Sequence, residues 1–112
     1  MSRARPRVEE AAPVFAALGD PTRLHLVGRL STEGPLSITR LCEGVSITRQ
    51  AVTKHLATLA DAGLVRDHWR GRDRIWQLDD KPLVKARGYL DQISAQWDDA
   101  IERLRAFVED ES

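Results

Sequence analysis

Residues 46–78, SITRQAVTKHLATLADAGLVRDHWRGRDRIWQL, read as a capped helix that runs directly into a short, arginine-studded β-hairpin. Val52, Leu56 and Leu59 recur at i, i+4 and i+7, an apolar stripe that must face a core. Arg49, Gln50, Thr53 and Lys54 fall on the other side, and Thr48 precedes them as a side-chain cap. Gly63 stands where a left-handed C-terminal cap is wanted. The spacing therefore predicts a helix over about 49–62 and a hairpin over about 65–78 that turns around Gly71. That hairpin carries Arg66, Arg70, Arg72 and Arg74.

A helix with a polar, hydrogen-bonding face near its N-terminus, followed by a basic hairpin, suits a DNA groove. The helix reads base edges while the hairpin holds the backbone. The rest of the chain fits such a winged helix-turn-helix, mainly α with a small β-hairpin. Residues 1–12 read as a flexible basic arm and 13–112 as one domain. Val14, Phe15 and Leu18 form a short apolar helix face closed by Gly19. Asp20 is a good N-cap, and Pro21 sits in the first helical turn, where its missing N–H costs nothing. Leu24, Val27 and Leu30, with Leu26, are expected to line the buried face of that second helix, which Gly34-Pro35 ends. Ser37 caps a third, short helix through Leu41 and Cys42, and residues 43–46 turn into the 49–62 helix.

Composition bounds the reading. The 112 residues suffice for one domain or a domain with an appended arm, and 42% hydrophobic with 30% charged residues fits a soluble globular protein. So short a chain buries a modest core, which oligomerisation would supplement. The opening MSRARPRVEE is charged with no apolar stretch behind it, unlike a secretory leader, and no run approaches membrane-spanning length. With one cysteine, no intramolecular disulfide can form, so the expected compartment is the cytoplasm, with no membrane partner. The net charge of zero hides a partition: residues 1–78 carry +4 and residues 79–112 carry −4. A basic groove-facing part joined to an acidic distal arm matches a DNA-binding reading.

The C-terminal segment reads as one helix over about 82–108. Leu83, Leu90, Trp97 and Leu104 recur every seven residues, and Ala86, Ile93, Ala100 and Phe107 follow three residues behind. This is an a/d seam over nearly four heptads. Its apolar face exceeds what so small a domain can cover. The expectation is a homodimer built on Leu83, Leu90, Ile93, Trp97, Leu104 and Phe107, with help from Val14, Phe15 and Leu18. Two-fold symmetry would then place two 49–62 helices about one DNA turn apart, or a multiple of it, on a pseudo-palindromic operator.

The stretches FAALGDPTRLHLVGRL and SITRLCEGVSITRQAVTKHLATLADAGLV carry a resemblance to the ArsR family of bacterial winged-helix repressors. The matching features run from Phe15 to about Leu78. They include Leu-Gly-Asp-Pro-Thr-Arg-Leu at 18–24, Val-x-x-His-Leu at 52–56 and Leu-x-x-Ala-Gly-Leu-Val at 59–65. The resemblance implies a homodimeric, DNA-binding transcriptional repressor, often controlled by an effector. It names no effector; a small molecule at the dimer interface near Tyr89 or Trp97 is one reading, a plain core role for those rings the other. Metal-sensing members place Cys-x-Cys on the third helix, where this chain has Ser37 and Thr39. Zinc-type members use Asp and His pairs on the C-terminal helix, and no histidine follows His68 here. Neither ligand set is present, so no metal and no cofactor are expected.

The expected DNA-contacting residues are Thr48, Arg49, Gln50, Thr53, Lys54, His55, Arg70, Arg72 and Arg74. Arg can contact guanine in a bidentate fashion and Gln adenine, while the threonines bond phosphates or touch a thymine methyl. Arg72, nearest the wing tip, suits a narrow minor groove, and Arg70 and Arg74 suit phosphate. The bland alternative for these arginines is a hairpin edge protected by charge. His55 either donates to a phosphate or holds its helix against a neighbour. Cys42 reads as a small buried apolar residue, since a redox switch would want a resolving partner. Ser46 replaces the glycine usual at the tight turn, with Gly44 nearby to absorb the backbone demand. No phosphate loop, nucleophile elbow or carboxylate–histidine cluster suggests an enzyme, and no catalytic residue is assigned. The alternative to a DNA reader is a winged-helix module that docks on protein without sequence-specific DNA binding.

Overall fold

The computed structural model describes residues 7–111. Five helices and three short strands follow in the order α1 (Val8–Leu18), α2 (Pro21–Glu33), β1 (Leu36–Ser37), α3 (Ile38–Glu43), α4 (Arg49–Asp61), β2 (Val65–Arg70), β3 (Asp73–Leu78) and α5 (Lys81–Glu111). The caps lie where the sequence puts them. The Asp20 carboxylate accepts from the Arg23 amide at 3.0 Å, Ser37 Oγ from the Arg40 amide at 3.2 Å, and Thr48 Oγ1 from the Ala51 amide at 3.1 Å. Each satisfies a backbone donor that has no partner inside its helix. α4 ends in paired bonds, from Gly63 N–H to the Ala60 carbonyl and from Leu64 N–H to the Leu59 carbonyl, both 2.9 Å. Gly63 takes a φ of 76°, and this closure turns Leu64 into the core.

The core gathers Leu26 and Leu30 from α2, Leu41 from α3, and Val52, Leu56 and Leu59 from α4, with Leu64 and Trp76 closing it from the sheet side. The α4 stripe is thus buried in full. The α2 face is not as expected: Leu26, Val27 and Leu30 are inside, but Leu24 is 55% exposed. At about 100° per residue, positions 26, 30 and 27 share one arc, and position 24 falls about 60° past its edge.

The sheet is antiparallel with order β1-β3-β2. Its hairpin pairs Val65 with Leu78 at the base and Arg70 with Asp73 at the tip. Gly71 has a φ of 65° while no non-glycine residue among the described residues has a positive φ, so the two-residue turn bends as a primed hairpin turn requires. β1 adds a third strand to the expected hairpin, pairing Leu36 with Trp76 and Ser37 with Ile75. This pairing ties the start of α3 to the wing.

Two further expectations change. The arm expected over 1–12 lies partly outside the described residues, and from Val8 onward it is helix: α1 runs through Pro13 to Leu18 and buries Ala11, Val14 and Ala17. Val14, expected in a dimer contact, is 3% exposed and belongs to the subunit's own core, because that face of α1 is covered within the subunit. α1 also packs along the first turns of α5, where Phe15 and Tyr89 meet with ring centroids 6.4 Å apart. Leu18 and Leu83 are likewise partly buried against the same core.

Candidate nucleic-acid interface

The helix-turn-helix is held at its corner by arginines of α2. Arg29 Nη1 donates to the Arg40 carbonyl at 3.0 Å and the Leu41 carbonyl at 3.3 Å, while its Nε donates to Glu33 at 2.9 Å. It thereby caps the C-terminal carbonyls of α3. Its hydrogen bond also holds the Glu33 carboxyl below its usual range. Gly44 has an ordinary φ of −94°, so no backbone demand needs absorbing there. A Cβ there would stand 2.9 Å from Arg29 Nη1, so a larger residue would make that guanidinium shift.

Arg23 does similar work at the other end of α2. Its Nε donates to the Ala17 carbonyl at 2.6 Å, and its Nη1 lies 3.4 Å from His55 Nδ1. The same ring nitrogen lies 3.9 Å from Asp20 Oδ2. The Asp20 carboxyl is held below its usual range, chiefly by the hydrogen bond from the Arg23 amide, with His55 and Arg23 charges adding to it. Of the two readings of His55, the geometry matches the one in which it braces α4 against α2.

With the corner fixed, the N-terminal turns of α4 project outward. Arg49, Gln50 and Lys54 are exposed, and Thr53 is partly so. Thr53 Oγ1 donates back to the Arg49 carbonyl at 2.9 Å. The Thr48 hydroxyl accepts its cap bond and keeps a hydrogen to donate. Cys42, behind this face, is partly buried against the core.

Strand parity sorts the wing residues. Val65, Asp67 and Trp69 share one face of β2, opposite Leu78, Trp76 and Arg74 of β3. At the base this inner face is core. Beyond Trp76 it continues past the body of the domain and overhangs the start of α4. Arg66, His68 and Arg70 lie on the outer face, and Arg72 is at the tip. Arg74 is engaged within the hairpin: its Nε donates to Asp67 at 2.6 Å and its guanidinium sits 4.7 Å from the Trp76 ring centroid.

Between the overhang and α4 lies a cleft of about 250 Å³. Arg49 and Thr53 line it from α4, and Arg72 and Arg74 from the wing. Ser37 and Thr39 close its floor, and Trp69 and Asp73 also border it. Four of the expected contact residues thus meet in one place, while Gln50, Lys54 and Arg70 are exposed beside it and His55 faces away toward α2. Sequence reading passes over Trp69. Its signal was the period of two from Val65, which puts an aromatic ring on the inner face.

A helix-turn-helix domain family model matches residues 18–68. The HTH-type transcriptional regulator Rv2034 of Mycobacterium tuberculosis is 36% identical over 97 residues, covering 87% of either chain. The HTH-type transcriptional regulator YuzN of Bacillus subtilis is 40% identical over 76 residues, 62% of this chain and 83% of the other. Among solved structures, the ArsR family transcriptional regulator RHA00566 superposes with a TM-score of 0.74 at 30% identity, covering 88% of this chain and 97% of that one.

Proposed function

This chain belongs to the ArsR family of winged helix-turn-helix transcriptional regulators, and we propose that it acts as a homodimeric repressor that reads a pseudo-palindromic operator. α4 enters the major groove by its N-terminal turns, and the β2–β3 wing lies on the adjoining backbone or minor groove. The observation that carries the reading is the shared cleft, in which Arg49 and Thr53 of α4 face Arg72 and Arg74 of the wing. Two elements remote in sequence turn basic and hydroxyl groups toward one line, which is the arrangement a polyanion would follow. Arg49 and Gln50 supply base contacts, and Thr48, Lys54 and Arg70 supply phosphate contacts. The site of action would be the cytoplasm, where the DNA is. Among the described residues no helix is long and apolar enough to cross a membrane. A dimer-interface effector remains a further element of the reading, with no chemistry assigned.

The test is selection of genome fragments by the purified protein, followed by titration of the selected duplex at several salt concentrations. A two-fold-related site and a steep salt slope are expected. Arg49→Ala should cost about 1–3 kcal/mol and relax base preference within the half-site. Arg72→Ala should lower the salt slope by about 1 per subunit while leaving site preference in place. Shallow, unselective binding by the wild type would instead favour a protein-docking module.

A further inference from the structure

We propose that the cleft between α4 and the wing seats one sugar–phosphate unit of the DNA backbone, with the Trp69 indole packed on the deoxyribose and Arg72 on the phosphate. This inference rests on the DNA-reading function proposed above and assigns a recognition residue to it. Trp69 is 67% exposed, although strand parity puts it on the face that is core two residues further along β3, at Trp76. The ring therefore offers a flat apolar surface at the rim of a cleft lined with arginine.

The neighbouring charges divide into two kinds. Arg74, directly across the ladder from Trp69, is held by Asp67 and by the Trp76 ring, so it supports the wall of the cleft. Arg49 and Arg72 make no ion pair among the described residues and stand on opposite sides of the gap. Asp73 is the one carboxylate bordering the cleft, against three guanidinium groups. The Thr39 side chain adds a hydroxyl at the floor, where the family's thiophilic sensors would need a thiolate.

Position decides which part of DNA these groups meet. One wall of the cleft belongs to the element placed in the major groove and the other to the element placed beyond its edge. What runs between the two grooves of a duplex is a sugar–phosphate strand. An aromatic face beside cationic groups matches that alternation of apolar sugar and anionic phosphate, and it carries no preference for a base.

The experiment compares wild type, Trp69→Ala and Trp69→Phe on a selected duplex and on a scrambled duplex of equal length. Trp69→Ala should weaken binding to both by about tenfold, leaving their ratio and the salt slope unchanged, and Trp69→Phe should recover most of the loss. In parallel, acrylamide quenching of tryptophan emission should fall when duplex is added to the wild type. That protection should be absent in Trp69→Phe, where Trp76 is buried throughout and Trp97 lies far along α5. Unchanged affinity of Trp69→Ala with no DNA-dependent protection overturns the proposal while leaving the DNA-reading function intact. A collapse of the selected-to-scrambled ratio also overturns it, because the ring would then be reading bases. A wild type that prefers no duplex removes the parent function and this assignment with it. The quenching result keeps the test decisive even if Trp69→Ala melts early.

Discussion

Thr48 shows how one hydroxyl can serve both fold and interface. Its oxygen accepts the Ala51 amide and starts α4, while the hydroxyl keeps a hydrogen to donate, beside the exposed Arg49 and Gln50. The two roles separate on substitution. Thr48→Ala should lose about 1 kcal/mol of stability in urea denaturation, the usual cost of removing an N-cap, and should weaken duplex binding. Thr48→Asp keeps a capping acceptor and a favourable charge at the helix N-terminus, so its urea midpoint should stay near that of the wild type. Its carboxylate would nevertheless face phosphates, and its affinity for duplex should fall below that of Thr48→Ala. If Thr48→Asp binds duplex as well as the wild type, the start of α4 does not approach the backbone. His55, about two helical turns further along, illustrates the opposite outcome. It lies on the same helix as the candidate contact residues, yet its ring turns to Asp20 and Arg23.

At the scale of elements, α2 is the part that aims the others. Arg29 reaches two carbonyls at the end of α3, and the fork geometry lets it hold Glu33 at the same time. Arg29→Ala should therefore cost about 1.5–3 kcal/mol, typical of hydrogen bonds from a charged donor, and Arg29→Lys should restore only part, because a single ammonium cannot span all three acceptors. The pH dependence has a definite sign. The Glu33 carboxyl is lowered from its ordinary value of 4.5 by the Arg29 hydrogen bond, so its contribution is present above that pH and is lost as pH falls through the folded value. The gap between wild type and Arg29→Ala in urea midpoint should then narrow on acidification below pH 4.5. A constant gap would show that Glu33 is not part of the link. This link was illegible in sequence, as were the first turns of α1. The stripe of Val52, Leu56 and Leu59, the three caps and the Gly71 turn were readable because each is encoded by spacing within a few residues. Pro13, with charged residues before it, reads locally as the end of an arm. The helix persists through it because Ala11, Val14 and Ala17 gain burial within the subunit, which no local pattern announces. The cleft has the same origin, since its walls meet only once β1 has paired with β3.

The whole molecule is elongated, 69 Å along its longest axis with a radius of gyration of 19.1 Å, against about 13 Å for a compact chain of this size. The excess is α5. Its 31 residues span about 46 Å, and only its first turns are covered, where Ala86 is buried and Leu83 and Tyr89 rest on α1 and the core. Beyond them the seam emerges bare: Leu90, Trp97, Leu104 and Phe107 are all about half or more exposed, reaching 65% at Trp97. The heptad series is thus divided, its start used within the subunit and its remainder exposed. Acidic residues crowd this same distal segment, the opposite balance to the basic remainder of the chain. Two-fold pairing along the bare seam would bury these side chains and join two α4 helices on one operator. Leu104, 63% exposed, lies far from the α1–α4 core, so Leu104→Glu should leave the monomer folded and place a charge in the proposed seam. The expected result is a shift from dimer to monomer in sedimentation equilibrium, with a melting temperature that no longer rises with protein concentration. Affinity for a two-half-site operator should fall by roughly 10² or more, because the second half-site loses its effective concentration, while affinity for a single half-site stays as it was. A Leu104→Glu protein that sediments as a dimer with full operator affinity would mean that the α5 seam is not what joins the two subunits.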